Sequence, residues 1–352
     1  SQAEKTVDDK TFGKQITWDI PLLEGYEFSF VPNVAKKPGV HHFQGIDCPE
    51  LIDQIKAYAP NAVLVFGWNF KSHLKTLRHF HGKIPVWFRG DSTLLNETGG
   101  VKTKLRRLVL SWVYQFVDKA LYVGEENKLY FLRHGLKANE LVFVPHAIDN
   151  ERFSDDIEKN YEVTAQQWRA ELGIPTSAIV LLYAGKFEPN KQLEFLIDAV
   201  IEVNKQREDK IILMLVGNGP LENELKSKVK AYDFVFFKPF QNQTQMPIVY
   251  RLGNVFCLPS ISETWGLAIN EAMACSRPVI VSDRVGCSKD LIIEDTNGWI
   301  FDYRSGNELI QILKSLEFND LNSKGKVASR LIQQWSFDTI AASIEKALEN
   351  EK

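Results

Sequence analysis

PSISETWGLAINEAMACSRPVI, residues 259–280, is the stretch that decides the fold. The apolar run Val255–Leu258 before it reads as a short buried strand that ends at Pro259. A tight loop follows, a helix begins near Trp265, and after Arg277-Pro278 a second buried strand starts at Val279. Strand, helix and strand in so few residues make one βαβ crossover of a parallel sheet. The helix start is chemically useful, because unpaired amides at Trp265, Gly266 and Leu267, together with the helix dipole, attract an anion, and Gly266 lets a ligand approach the backbone. Glu263 precedes that turn and Glu271 lies eight residues on, about two helical turns further. Two carboxylates so placed suit two sugar rings. The bland alternative is a capping acid and a solvated helix residue, against which stand apolar Ala272 and Met273 after Glu271.

The same rhythm extends in both directions. Strands are expected at Val180–Ala184, Ile211–Val216, Val235–Phe237, Val255–Leu258 and Val279–Val281, and in the first half at Tyr26–Pro32, Ala62–Phe66, Pro85–Phe88, Ala120–Val123 and Leu141–Pro145. Alternation with helical patterns gives two Rossmann-like, doubly wound α/β domains, expected at 1–155 and 156–352 with the polar stretch Asn150–Glu162 as linker. The 352 residues agree with two domains rather than one. The first thirty residues offer only Gln15–Trp18 as a weak strand, so the first domain lacks an obvious first strand. Residues 335–348 carry an apolar face at Phe337, Ile340, Ile344 and Leu348 and could pack on either domain.

Composition excludes several classes. Hydrophobic residues make up 44% and charged residues 25%, with 22 Phe and 8 Trp, which fits neither a disordered nor a low-complexity chain. A net charge of −3 gives no field for gathering nucleic acid. The four cysteines lack CxxC spacing and lie in or beside apolar segments, as in a reducing cytosol. No apolar run is long enough to span a bilayer, and Ser1–Lys10 is too polar for a signal peptide, so a cytoplasmic protein is expected.

Two more loops follow strands of the second half. After Val180–Ala184 come Gly185-Lys186 and Glu188-Pro189-Asn190-Lys191, which put two cations at a strand's C-terminal end, where α/β sheets bind ligands. They could neutralise a diphosphate, or be ordinary surface lysines of a solvated turn. Val216-Gly217-Asn218-Gly219-Pro220 also lets backbone approach a ligand, though alone it is no more than a βα turn.

The blocks YAGKFEPNK (183–191), VGNGP (216–220), PSISETWGLAINEAMA (259–274), RPVI (277–280) and NGWIF (297–301) resemble, in order and spacing, the retaining nucleotide-sugar glycosyltransferases of family GT4. VPHAIDNERF (144–153) extends the likeness to about two-thirds of the chain. The resemblance implies a GT-B fold, two Rossmann-like domains facing across a cleft, with an acceptor-side first domain and a donor-binding second. It implies that Glu263 bonds the donor sugar, Glu271 the ribose, that Lys191 faces the diphosphate, and that the Trp265–Leu267 amides complete the phosphate site. Gly185 and Lys186 stand where Gly-Arg is usual, so a point charge replaces a forked donor. Gly217, Asn218 and Lys238 fall to the nucleotide loop. In the first half, Trp68, Asn69, Arg89 and Asp91 are the acceptor-side candidates, with Asp91 counted among the catalytic residues, or else capping the next turn.

The mechanism so implied is transfer with retention from a UDP-, GDP- or ADP-sugar to a glycan, lipid-linked or small acceptor, the donor phosphate taking the acceptor's proton. No Asp-x-Asp pair and no metal-ligand spacing occurs, so neither metal nor cofactor is expected. Lys102–Val117 reads either as a core helix with a solvated face or as a helix that touches an anionic membrane, which would place the protein at the inner face of that membrane. Rival readings are a non-catalytic nucleotide-sugar-binding protein and an NAD-dependent dehydrogenase. The second requires G-x-G-x-x-G after a first strand, which the chain lacks.

Overall fold

The computed structural model describes residues 7–9 and 14–349, so most of the polar stretch Ser1–Lys10 lies outside the described residues. Two compact units form: one takes the residues up to Glu24 and Ala147–Phe337, the other Gly25–His146 and the residues from Asp338 on. The strands in chain order are β1 (Val7–Asp9) and β2 (Lys14–Ile16), an antiparallel pair, then β3 (Val63–Phe66), β4 (Val86–Arg89), β5 (Lys119–Tyr122) and β6 (Leu141–Phe143). These four form a parallel sheet in that order. The rest are β7 (Val180–Ala184), β8 (Ile212–Val216), β9 (Val235–Lys238), β10 (Val255–Leu258), β11 (Val279–Ser282) and β12 (Gly298–Phe301).

The last six make a parallel sheet of order β12-β11-β10-β7-β8-β9, the doubly wound order in which strand succession reverses between β7 and β10. Both strands are buried along their whole length, which is why they read as continuous apolar runs without alternation. The helix Leu193–Asn204, after β7, packs with Gly306–Ser315, whereas Leu267–Ala274, after β10, packs with Phe318–Ile332. β12 is a sixth strand that the apolar pattern alone did not mark.

In the other unit, Tyr26–Pro32 is not a strand. Tyr26, Phe28 and Phe30 stay exposed and pack edge to face on each other, at 6.3 and 5.4 Å between ring centroids. The β-rich run that suggested a strand is thus met by aromatic contact between its own rings, and Pro32 could donate no ladder bond. The weak strand at Gln15–Trp18 is β2, part of a hairpin rather than the opening of a sheet. The last helix, Phe337–Glu349, puts Ile340, Ile344, Ala347 and Leu348 against Trp87, Leu121 and Val144 of the β3–β6 unit.

Asn150–Glu162 is not a linker; the units divide after His146 instead of near 155. Phe153 is fully buried, 6.0 Å from the Tyr250 ring, and its carbonyl accepts from Arg251 Nη2 at 2.7 Å. Asn150 donates to the carbonyls of Ile332 and Trp335, and the Asp155 carboxylate accepts from the amides of Tyr161 and Glu162, starting the next helix. One buried ring outweighed the polar residues around it. Phe153→Ala should therefore lower stability by about 3–5 kcal/mol, as a core cavity does, measured by urea denaturation; a change under about 0.5 kcal/mol is what a linker residue would give.

Candidate functional site

The switch point between β7 and β10 collects the charged residues singled out in the sequence. β7 leads through Gly185 and Lys186 to the short turn Pro189–Lys191, and β10 leads to the loop Pro259–Glu263. The two loops are stitched together where the Ile261 amide donates to the Asn190 carbonyl at 2.9 Å. Lys191 and Glu263 meet there as a hydrogen-bonded ion pair, both side chains mostly buried. Glu263 is held from behind as well: its amide donates to the Arg284 carbonyl, its carbonyl accepts from the Gly286 amide, and it bridges to Val285. The Lys186 carbonyl accepts from the buried Tyr183 hydroxyl at 2.7 Å, which sets the course of the Gly185-Lys186 turn.

The helix Leu267–Ala274 starts beside this pair. Gly266 is its N-cap residue at φ 98°, a left-handed conformation that favours glycine, and a Cβ there would press on Val285. Trp265 is buried, its Nε1 donating to Asn270 Oδ1 at 2.9 Å, so one turn of the helix is pinned to its own start. Two turns in, Glu271 Oε2 accepts from the Tyr250 hydroxyl at 2.6 Å. Burial pushes the Glu271 carboxyl up to about 7, against the Tyr250 hydrogen bond and the charge of Arg152, which favour the carboxylate.

Glu271, Leu267, Gly185 and Gly217 line one open pocket, with Tyr250, Met246, Phe240 and Trp18 among the other walls. Gly217 is needed sterically: a Cβ would fall 1.9 Å from the Gly185 carbonyl oxygen, so the loops after β7 and β8 can run this close only with glycine there. Asn218 is a brace. Its carbonyl accepts from the Phe187 amide, its Oδ1 from the Phe240 amide, and its Nδ2 donates to Glu222. The Lys238 ammonium lies over the Trp168 ring, 4.0 Å from its centroid, and only the Lys238 carbonyl reaches the loop, accepting from the Gly217 amide. Trp18, Tyr250, Met246 and Phe240 carry no charge or motif, and sequence reasoning missed them; their common signal is only that they follow or flank the ends of strands and helices.

In the other unit, Arg89 ends β4 and donates to the carbonyls of Val144 at 2.9 Å and Pro145 at 3.0 Å, so it fixes the chain leaving β6. Next to it stands His146, which the sequence did not single out. Burial first, and then the Arg89 charge, lower its imidazole to about 4, while Asp91 acts in the opposite sense. Arg89, Asp91 and His146 thus form one electrostatic cluster. Trp68 packs on the core of this unit, and Asn69 is exposed beside Gly67.

Residues 164–335 match the family described as Glycosyl transferases group 1, which covers the six-stranded sheet and the walls of its switch-point pocket other than Trp18. These residues are a group 1 glycosyltransferase domain. The domain is 30% identical over 179 residues to the D-inositol 3-phosphate glycosyltransferase of Streptomyces bingchenggensis (47% of this chain, 38% of that protein) and 29% identical over 189 residues to that of Streptomyces coelicolor (50% and 41%). The chain thus spans about two-fifths of the length of these curated relatives. Among solved structures, sucrose-phosphate synthase from Thermosynechococcus elongatus superposes with a TM-score of 0.69 at 21% identity, over 86% of this chain and 77% of that one. Anabaena Alr3699/HepE in complex with UDP superposes at 0.70 and 18% identity, over 86% and 82%. Such likeness establishes the GT-B fold.

Glu271 gives the glycosyltransferase domain a titration of its own. Its folded value of about 7 lies above the ordinary 4.5 of a free carboxyl, so the folded state holds a proton that the unfolded chain has lost. The stability this confers is complete below about pH 4.5 and disappears as pH rises to about 7. Relative to Glu271→Gln, the parent protein should lose stability from pH 5 to 7 and then run parallel; urea midpoints at pH 5, 6, 7 and 8 measure this, and parallel curves throughout would contradict it.

Proposed function

We propose that the chain transfers a sugar from a nucleoside diphosphate sugar to an acceptor with retention of configuration, without a metal. The observation that carries this is the convergence, at one switch point of the sheet, of the Lys191–Glu263 ion pair with the start of the Leu267–Ala274 helix, beside the pocket that this helix start and the buried Glu271 line. A diphosphate would share Lys191 with Glu263 and lie against the helix amides, which supply positive potential where the leaving group's charge develops. Glu263 would then turn to sugar hydroxyls, and Glu271 to the ribose. The HepE structures with UDP and with UDP-glucose support a donor of this class. Lys186, one residue from Gly185, would add charge on the phosphate side. Asp91, in the cluster with Arg89 and His146, would meet the acceptor, a glycan or lipid-linked sugar.

The two glutamates should fail differently. Glu271→Gln removes charge-assisted bonds worth roughly 1.5–3 kcal/mol each, so free UDP, GDP or ADP should bind about tenfold or more weakly. Glu263→Gln leaves Lys191 without a competing anion, so nucleotide should bind at least as tightly while turnover falls. Calorimetry with nucleotide and assays of transfer in EDTA, with product anomers read by NMR, test the reading. Equal losses of nucleotide affinity, a strict need for Mn²⁺ or Mg²⁺, or inverted product would each oppose a part of it, and binding without transfer would leave a non-catalytic protein.

Lys102–Val117 supports a membrane contact. The helix Val101–Tyr114 buries Leu110, Val113 and Tyr114, yet leaves Val101, Leu105, Leu108 and Trp112 exposed, with Leu108 at 70%. Lys102, Lys104 and Arg106 are exposed on the same helix, a combination that complements an anionic lipid surface. No described helix is long and apolar enough to cross the bilayer. The protein should co-sediment with vesicles containing phosphatidylserine in a salt-sensitive way, and Leu108→Glu should reduce the bound fraction severalfold; no sedimentation, or none lost in the variant, refutes the contact.

A further inference from the structure

One wall of the pocket comes from far away in sequence. Trp18 lines it, although it precedes the domain's first sheet strand by more than a hundred residues. The contact is held by a polar clip on both sides of the ring. The Thr17 carbonyl accepts from Asn242 Nδ2 at 2.6 Å, and the Asp19 carboxylate accepts from Thr244 Oγ1 at 2.5 Å and from the Thr244 amide at 3.3 Å. The platform beneath the clip is itself fixed, since Arg152 donates to the Gln243 carbonyl at 2.8 Å and to its Oε1 at 3.2 Å. Trp18 is 38% exposed, a large apolar ring presented to an open pocket instead of a core.

Its position along the sheet indicates what it meets. The Asn242–Thr244 platform follows β9, two strands from β7, which is roughly 10 Å at ordinary strand spacing. A diphosphate at the β7 and β10 loops, with its ribose on Glu271, therefore sends its base toward β9. We infer that Trp18, clipped to residues 242–244, is the wall on which the nucleobase stacks, so that the segment around Thr17–Asp19 is part of the nucleotide site. This inference rests on the nucleotide-sugar reading above. Because every base has a π-face, stacking gives affinity with little choice among bases; Trp18 should strengthen UDP, GDP and ADP binding alike.

Calorimetry on the full chain with UDP, GDP and ADP tests it, using Trp18→Ala, Trp18→Phe and Asp19→Ala. Trp18→Ala should weaken whichever of the three the parent protein binds by about tenfold, Trp18→Phe by much less, and Asp19→Ala by a factor near that of Trp18→Ala, with no further loss in the double variant. Nucleotide should also quench tryptophan fluorescence in the parent protein more than in Trp18→Phe. Unchanged affinity in Trp18→Ala, with the same melting temperature as the parent, overturns the inference. If that happens while Glu271→Gln still weakens nucleotide, only the role of Trp18 falls. If Glu271→Gln changes nothing, or the parent binds none of the three, the nucleotide-sugar reading falls and the stacking wall with it.

Discussion

The site depends on one topological constraint: β7 and β10 are hydrogen-bonded neighbours whose outgoing connections must part. Leu193–Asn204 joins Gly306–Ser315 and Leu267–Ala274 joins Phe318–Ile332, so the chain ends of the two strands diverge and leave a crevice that no side chain of the sheet can fill. Everything polar in the site is a consequence of lining that crevice. The turn after β7 and the loop after β10 are close enough for a backbone bond from Ile261 to Asn190, and this stitch brings Lys191 to Glu263. Without the shared sheet, two residues more than seventy positions apart would have no reason to pair.

The two carboxylates on this crevice are handled oppositely. Glu263 faces the Lys191 ammonium, whereas Glu271 has a phenol as its hydrogen-bonding neighbour and is pushed toward the neutral form by burial. A carboxyl poised near neutrality is costly for a residue with only a structural task, because a glutamine or leucine would fill the space without the desolvation penalty. Under the proposed transfer, polar groups of a ligand would replace the water Glu271 has lost, and Glu263 would give up part of its partner to a second anion.

Much of this was legible in the residues and some was not, for identifiable reasons. Buried central strands such as Val180–Ala184 and Val255–Leu258 announce themselves as short unbroken apolar runs, and the sheet of the second unit could be read from them. The Glu263 and Glu271 spacing was readable because it lies on one loop and one helix. Asn150–Glu162 misled because polarity was averaged over thirteen residues, while its structure is set by Phe153 and by side-chain bonds from Asn150 and Asp155 to distant or local backbone. Tyr26–Pro32 misled because a β-rich apolar run need not enter a sheet: its rings stay half exposed and contact one another instead. Trp18 and Tyr250 could not have been found, since their place in the site comes from tertiary contacts that leave no local pattern.

The cluster in the β3–β6 unit bears on where the acceptor's proton goes. Arg89 is committed to two carbonyls, and its fixed charge lies beside His146, whose imidazole is driven down to about 4. A general base works best with a pKa near the working pH, so His146 is a poor base at neutrality: it stays unprotonated and can accept a hydrogen bond, but it holds a proton weakly. Under the proposed transfer, His146 is not suited to remove a hydroxyl proton outright, but it is suited to orient one. The strongest base then available is the departing phosphate, whose affinity for a proton grows as its bond to the sugar breaks. That is the course expected of retention, in which acceptor and leaving group share one face of the sugar, and under that proposal His146 would orient a hydroxyl rather than deprotonate it.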